Sequence, residues 1–457
     1  MKIKDHRFDG SRLDRLIIDN PDSGEFLLHR DVFRDPEIFE LEMKYIFERN
    51  WVYLAHESQL PKPNDYWHTY IGRTPVIVWR DGEGQVGAYI NSCAHKGARV
   101  CHHQSGNARQ LVCGYHGWTY DSAGRNILVK DEAAGAYAEP FARLDHGLPK
   151  VKIGVYGGLI FGSLTDDVPT LDQHLGEARK LLDLVVEQGP DGVEMIPGMS
   201  QYVYNGNWKW QIENCIDAYH LTSAHPSFMN VVLRRKAGES QNKQVKSMDI
   251  QGMMSVAGGS YTFPRGHAIV WGENPQASER PLWFAREELE QRLGEVRARW
   301  MMYTRNLTIY PNVQFADNAS LQCRIIRPLS VDRTEMTIFC VGPKGESREA
   351  RSVRLRQYED FFNTSGMATP DDTIAYEDCQ AGVLSPAVEW QQGYMRGACS
   401  AQAGADRYAE EIGVTPQTSA SGRFDMQDET VFHGGYRAWS KFLKDGLAAD
   451  GVDGEQE

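Results

Sequence analysis

Two cysteine–histidine pairs, Cys93-Ala94-His95 and Cys113-Gly114-Tyr115-His116, stand 17 residues apart. Each pair is short enough to sit at the tip of one loop, so two loops could clamp one metal centre. Structural zinc also takes cysteine and histidine, usually as a pair of cysteines followed by a pair of histidines. Here each half mixes one cysteine with one histidine. A [2Fe–2S] centre of the Rieske kind needs two cysteines on one iron and two histidines on the other. One of each from each loop supplies that set, which favours the cluster over zinc. Cys101, His102 and His103 lie between the halves. With the ligand set complete, they read as loop or core residues.

A second group lies in NGNWKWQIENCIDAYHLTSAHPSF, residues 205–228. Asp217 and His220 are three apart and share a helix face. His220 and His225 are five apart, about 140° around an ideal helix. Both can reach one metal only if the helix loosens or ends between them, and Pro226 disfavours helix at His225. Two imidazoles and a carboxylate with open positions form the face used by O2-activating Fe(II). Asp217 is a candidate carboxylate by proximity, and the distant pair Asp371-Asp372 is another. Spacing alone does not choose. A cluster delivering single electrons on the same chain calls for such an acceptor.

The elements that must hold these groups are legible in outline. TPVIVWR, the turn DGEG and VGAYINSC read as strand, hairpin and strand. WTYDSAGRN is a second hairpin and GGLIFGSL a further buried strand, which makes residues 49–165 a small all-β domain. Asp35-Pro36 caps and opens a helix before it, in an N-terminal helical segment 1–48 expected to pack on the catalytic domain. The stripe Ile38, Leu41, Tyr45 and Ile46 gives that helix its buried face. Residues 166–445 are expected to form the larger α+β catalytic domain. Thr170-Leu171-Asp172-Gln173 is a capping box starting a helix through EARKLLDLVVEQ. VEMIPGMSQYVY and LQCRIIRPLSVDRTEMTIFCVG read as sheet, and ESREARSVRLRQYEDFFNTSG as a helix ending at Gly366. Residues 446–457 are expected to be an acidic tail.

Composition narrows the functional classes. The chain has 457 residues, 41% of them hydrophobic, enough for one large core or two ordinary ones. A net charge of −13 repels phosphate backbones, so no nucleic-acid partner is expected. No apolar run spans a membrane, and MKIKDHRFDGSRLDR has no apolar signal region, so a cytoplasmic location is expected. A long chain in a reducing compartment argues against disulfides. Cys215, Cys323, Cys340, Cys379 and Cys399 have no paired spacing and read as buried thiols.

Together the two groups resemble the large subunits of Rieske ring-hydroxylating dioxygenases, in the branch acting on benzoate, toluate and anthranilate. SGEFLLHRDVF, FELEMKYIFERNWVYLAHESQLP, CAHKGA, CGYHGWTY, GNWKWQIENCIDAYHLTSAH, RNLTIYPNV, RIIRPLSVDRTEM and RQYEDFFNTSGMATPDD carry the likeness over nearly the whole chain. The resemblance implies a helix-grip-like catalytic domain with an antiparallel sheet. It implies Cys93, His95, Cys113 and His116 as cluster ligands, and His220, His225 and Asp372 as ligands of a mononuclear Fe(II). It implies Asp217 as an acid bridging an iron-ligand histidine to a cluster histidine of a neighbouring subunit. It further implies a small (beta) subunit, three large plus three small subunits, and NADH electrons arriving through a separate reductase. The expected reaction is cis-dihydroxylation of a benzoate-like ring with O2. Aniline, salicylate and halogenated aryl acid substrates are the alternatives within the chemistry, and a zinc-stabilised binding module is the alternative outside it. Two positions depart from the pattern: Cys215-Ile216 where glycine is usual, and Gly114-Tyr115 where Pro-Phe is frequent. The first bears on substrate choice.

Asn214, Cys215, Leu221 and Met367 neighbour the implied ligands and are expected to line the substrate pocket. An acidic substrate entering a chain of charge −13 needs local compensation, because burying an unpaired carboxylate costs several kcal/mol. Arg324, Arg327, Arg234 and Arg235 are candidates. Arg324 and Arg327 are three apart, so in a regular strand at most one faces the cavity.

Overall fold

The strand pair expected from TPVIVWR and VGAYI forms Thr74–Arg80 and Val86–Ile90 in the computed structural model, which describes residues 10–138, 140–236, 256–422 and 428–451. Val76 pairs with Ile90 and Val78 with Ala88. Both faces of the first strand are buried, so its side chains serve two cores alternately. Val76 and Val78 join a cluster with Leu54, Ile71, Val151 and Ile160. Ile77 and Trp79 join another with Cys93, Cys113, Trp118 and Tyr120. A fully buried tryptophan such as Trp79 contributes roughly 3–5 kcal/mol over alanine, which makes this wall a firm backing for the loops that carry the cysteines.

These strands belong to a unit spanning Phe47–Leu171. Its seven-stranded sheet runs Val52–His56, Leu159–Ser163, Lys150–Tyr156, Val86–Ile90, Thr74–Arg80, Asp65–Ile71, Ser105–Asn107. A smaller sheet orders Asn126–Leu128, Thr119–Asp121 and Gln110–Val112. The unit begins two residues before and ends six after the expected span 49–165.

The second unit combines the residues up to Ile46 with those from Asp172 onward. Its nine-stranded antiparallel sheet runs Val193–Tyr204, Arg333–Pro343, Leu321–Ser330, Val313–Asp317, Thr304–Ile309, Ala268–Gly272, Gly258–Thr262, Thr418–Ser421, Ala401–Ala403. The expected α+β class is what the chain adopts. Helices Trp208–Cys215, Arg348–Phe361 and Thr369–Val383 carry or flank the residues of interest. The first is anchored at its start. The Asn207 side chain caps it by accepting the Lys209 N–H, while its amide donates to the carbonyls of Val331 and Phe33. One turn on, the Lys209 ammonium meets Glu42 at 2.5 Å, both buried. Trp208 and Trp439 donate their indole N–H groups to the same carboxylate. Three hydrogen bonds to the Glu42 carboxylate thus offset the burial of a charge pair that would otherwise be costly.

Five expectations change. The Asp35-capped helix Pro36–Glu42 continues as a wider π turn, Met43–Phe47, instead of a uniform α-helix. The helix expected from Thr170 breaks into Leu171–Leu175 and Ala178–Val186. Gly176 between them has φ +49°, a left-handed value that glycine tolerates. The C-terminal helix Val431–Ala449 runs past residue 446 and buries Leu447, so the expected tail begins later. The helix over ESREARSVRLRQYEDFFNTSG stops at Phe361, before Gly366. All eight cysteines are unpaired. Cys379 and Cys399 are exposed, against the expectation that they are buried.

Candidate metal centres and substrate cavity

The spacing problem at His220 and His225 is solved by a short break. Helix Trp208–Cys215 ends, and Asp217 turns the chain by accepting the Tyr219 N–H at 2.6 Å. A single turn, Leu221–Ala224, follows. His225 is then non-helical (φ −111°, ψ 40°) before Pro226 opens the next helix. This is the ending that Pro226 suggests. Both rings can therefore converge, and their centroids lie 5.3 Å apart.

They converge on Asp372, in the first turn of helix Thr369–Val383. His225 Nε2 lies 3.2 Å and His220 Nε2 3.5 Å from Asp372 Oδ1. The donor atoms of the three residues all fall within 4.8 Å of one another. The other nitrogen of each ring is held by a carboxylate. His220 Nδ1 meets Asp217 Oδ2 at 2.8 Å, and His225 Nδ1 meets Asp371 Oδ2 at 3.2 Å. A proton held at Nδ1 leaves the Nε2 lone pair for a metal, as carboxylate–histidine–metal triads do. Asp371 and Asp372, adjacent in sequence, thus have different work: one orients an imidazole and the other offers a donor. Burial opposes charge on Asp372. The His225 hydrogen bond and the nearby His220, His225 and Arg324 outweigh it and hold the carboxyl below its usual range. The donor is therefore a ready anion. Asn214 donates to the same Asp372 oxygen at 3.1 Å.

A cavity opens beside these donors. Asn214, Cys215 and Leu221 are among the residues that line it. Met367 does not; it packs on the core cluster of Phe361 and Phe362 behind the wall. The rest of the wall comes from distant strands and helices: Val270, Thr304, Asn306, Phe361 and Phe362. The alternation in Thr304-Arg305-Asn306 could have singled out two of them. Arg324 reaches the cavity as well, and Arg327 is on the other face, ion-paired to Glu335 at 3.2 Å. Arg324 is 4% exposed, its Nε has no hydrogen-bond partner, and its guanidinium lies 4.8 Å from the Phe362 ring centre. Arg235 is neutralised by Asp360, and Arg234 is exposed away from the cavity wall. Burial pushes the Cys215 thiol up to about 11, so it stays neutral.

In the smaller unit the two cysteine–histidine loops are built alike. Cys93 N–H donates to Ala98 O and Gly97 N–H to Cys93 O. Cys113 N–H donates to Trp118 O and Gly117 N–H to Cys113 O. Gly97 and Gly117 have φ of +74° and +75°, so the glycine four residues after each cysteine closes the loop. That repeated glycine was visible in the sequence and was not used. Cys93 and Cys113 are buried, and the rings of His95 and His116 lie 4.4 Å apart. His95 stacks on Trp118 and leaves a buried Nδ1 without a partner. An orphaned ring nitrogen beside two buried thiols fits a Rieske cluster. Cys101 is excluded from the set, since its Sγ faces the His103 carbonyl at 3.3 Å.

Residues 50–142 match the family described as Rieske [2Fe-2S] domain, and residues 196–410 match the ring hydroxylating alpha subunit (catalytic domain). The toluate 1,2-dioxygenase subunit alpha of Pseudomonas putida is 42% identical over 432 residues, covering 94% of this chain and 93% of that one. The chain belongs to the ring-hydroxylating dioxygenase alpha subunits. The 2-halobenzoate 1,2-dioxygenase large subunit of Burkholderia cepacia is 41% identical over 439 residues, covering 95% and 93%. The naphthalene 1,2-dioxygenase of a Rhodococcus species shares the fold, with a TM-score of 0.81 at 23% identity, covering 97% and 99%. As a Rieske non-haem iron oxygenase, this alpha subunit uses one [2Fe–2S] cluster and one mononuclear iron. Among the described residues no helix is long and apolar enough to cross a membrane.

The Cys215 departure should show in substrate choice. Cys215→Gly removes a side chain from the cavity wall without touching a donor atom. Relative rates across substituted benzoates should shift by about 10-fold, the scale of one small group in an apolar pocket, while iron content holds. Unchanged relative rates across the panel would mean that Cys215 is core only.

Proposed function

We propose that this chain is the large subunit of a cytoplasmic aromatic-carboxylate dioxygenase that adds both atoms of O2 to one face of a benzoate-like ring. Arg324 carries the carboxylate part of the reading. It is a buried cation with a free Nε, in the same cavity wall as His220, His225 and Asp372. In a chain of net charge −13, it supplies the local compensation that an acidic substrate requires. Relatives named for toluate and 2-halobenzoate support the same class.

When bound, the iron supplies O2 activation and the cluster supplies electrons one at a time. His220, His225 and Asp372 would hold the iron, and Cys93, His95, Cys113 and His116 the cluster. Arg324 pairs with the substrate carboxylate and so sets which ring edge approaches the donors. Phe361, Phe362, Val270 and Leu221 give the ring an apolar wall. Such positioning is the protein's share of the catalysis. Asp217, partly buried beside His220, acts as the bridging acid toward a cluster histidine of a neighbouring copy. The assembly is three large and three small subunits, fed by a separate NADH reductase.

The test compares Michaelis constants for benzoate and a neutral ring such as toluene, with reductase supplied and O2 uptake and product mass recorded. Arg324→Gln should raise the constant for benzoate roughly 10- to 100-fold, the cost of breaking a buried charge pair, and leave toluene nearly unchanged. Arg327→Gln and Arg234→Gln should change neither. Equal effects on both substrates, or none, would remove Arg324 from carboxylate recognition.

A further inference from the structure

We propose that the amide oxygens of Asn306 and Asn318 select a substrate whose ring carries a hydrogen-bond donor, an amino- or hydroxybenzoate in preference to a benzoate with a methyl or halogen there. The inference rests on the carboxylate reading above and deepens it. Asn306 lies on the strand Thr304–Ile309, two residues after Thr304, and so shares its face. Both residues line the cavity beside His220, His225 and Asp372. Asn306 Nδ2 donates to the Cys215 carbonyl at 2.6 Å. A carbonyl only accepts, so this bond fixes which end of the amide is nitrogen. The Oδ1 that remains is buried and meets no donor among the described residues. Asn318, in the link between Val313–Asp317 and Leu321–Ser330, is 8% exposed and lines the same cavity. Its Oδ1 is likewise buried without a donor among the described residues.

A buried acceptor without a partner is rare in a folded protein, because it forfeits the hydrogen bond it made to water. Two in one cavity wall call for donors from whatever fills the cavity. The sheet register sets them apart from the cation. Asn306 pairs with Ala316 and Ala316 with Gln322, and Arg324 stands two residues beyond Gln322. Asn306 and Arg324 are thus two strands apart on one face of the sheet. A carboxylate held by Arg324 leaves the ring to extend across that face, where a substituent meets the asparagines. A ring amine or hydroxyl reproduces the bond of any water it displaces there. A methyl or halogen displaces the water and leaves the oxygen unpaired. A site built around a substrate N–H or O–H therefore rejects the analogue without it more strongly than an apolar pocket tells one small group from another.

The experiment measures dissociation constants by calorimetry on the complete, metal-loaded oxygenase, without reductase, so that no turnover intervenes. The probes are the ortho, meta and para aminobenzoates, the toluates with a methyl at each matching position, benzoate and toluene. At the ring position that meets the asparagines, the amine should bind about 100-fold more tightly than the methyl of nearly the same size. Asn306→Leu should cut that ratio at least about tenfold, and Asn318→Leu should cut it as well. Amines and methyls that bind alike at all three positions would overturn the proposal in the wild-type protein, whether or not a variant folds. A preference that survives both substitutions would also overturn it. The ratio of benzoate to toluene reads Arg324 separately. If that ratio is near one while the amine preference stands and both variants lose it, the carboxylate reading fails and the donor selection is upheld.

Discussion

Replacing Asp372 with alanine should strip the mononuclear iron and leave the Rieske spectrum untouched. Asp372 is the buried carboxylate on which both Nε2 atoms converge, at 3.2 and 3.5 Å. Without it, two imidazoles and the Asn214 amide remain, a set with no anionic oxygen for a divalent iron. Asp371 serves as the internal control. It touches only Nδ1 of His225, so Asp371→Ala should loosen that ring and weaken iron binding by about 10- to 100-fold, the usual effect of losing an orienting partner. Asp372→Ala should exceed that range. Iron content per cluster, read by metal analysis beside the cluster's EPR signal, separates the two variants. If Asp371→Ala emptied the site and Asp372→Ala kept its iron, the two aspartates would have to exchange roles.

Asp217→Ala should keep both metals and lose turnover by at least about 100-fold. Asp217 Oδ2 holds His220 Nδ1 at 2.8 Å, and its other oxygen accepts the Tyr219 N–H. Removing it frees the His220 ring without deleting an Nε2 donor, so iron affinity should fall no further than the about 10- to 100-fold expected of Asp371→Ala, and the site should still fill when iron is supplied. Asp217→Asn separates orientation from bridging. Its amide oxygen can still accept from His220, which would rescue a merely orienting role. A bridge to a second imidazole needs a carboxylate that accepts on both sides, so the asparagine variant should stay inactive. Reduction of the cluster by reductase should proceed normally in both variants, while reoxidation in a single turnover with substrate and O2 should slow. Full coupled activity in Asp217→Ala would end the bridging idea.

Groups that act within a few residues of one another were readable from the chain. The apolar run Val76-Ile77-Val78-Trp79 before the turn DGEG read as one strand of a hairpin, and Pro226 explained how His225 leaves the helix. Choices that depend on the direction of a distant element were not readable. Asp371 and Asp372 are adjacent on one helical turn, and only the packing of helix Thr369–Val383 against the histidines decides which faces the donors. Parity said that at most one of Arg324 and Arg327 meets the cavity; the sheet decided for Arg324. Met367 failed because neighbouring a ligand in sequence does not decide which side chains a residue packs on, here those of the Phe361 and Phe362 cluster. Gly176 split an expected helix because a capping box marks where a helix starts and carries no information on how long it runs.

The proposed reaction needs a cluster, an iron site and an arginine-bound aromatic acid to insert both atoms of O2. Its most direct test is the product formed from benzoate under isotopically labelled O2, with reductase, NADH and the small subunit supplied. The expected product is a cis-diol in which both new oxygens carry the label, formed in step with O2 consumed. A product with one labelled oxygen, or O2 uptake without any benzoate product, would contradict it.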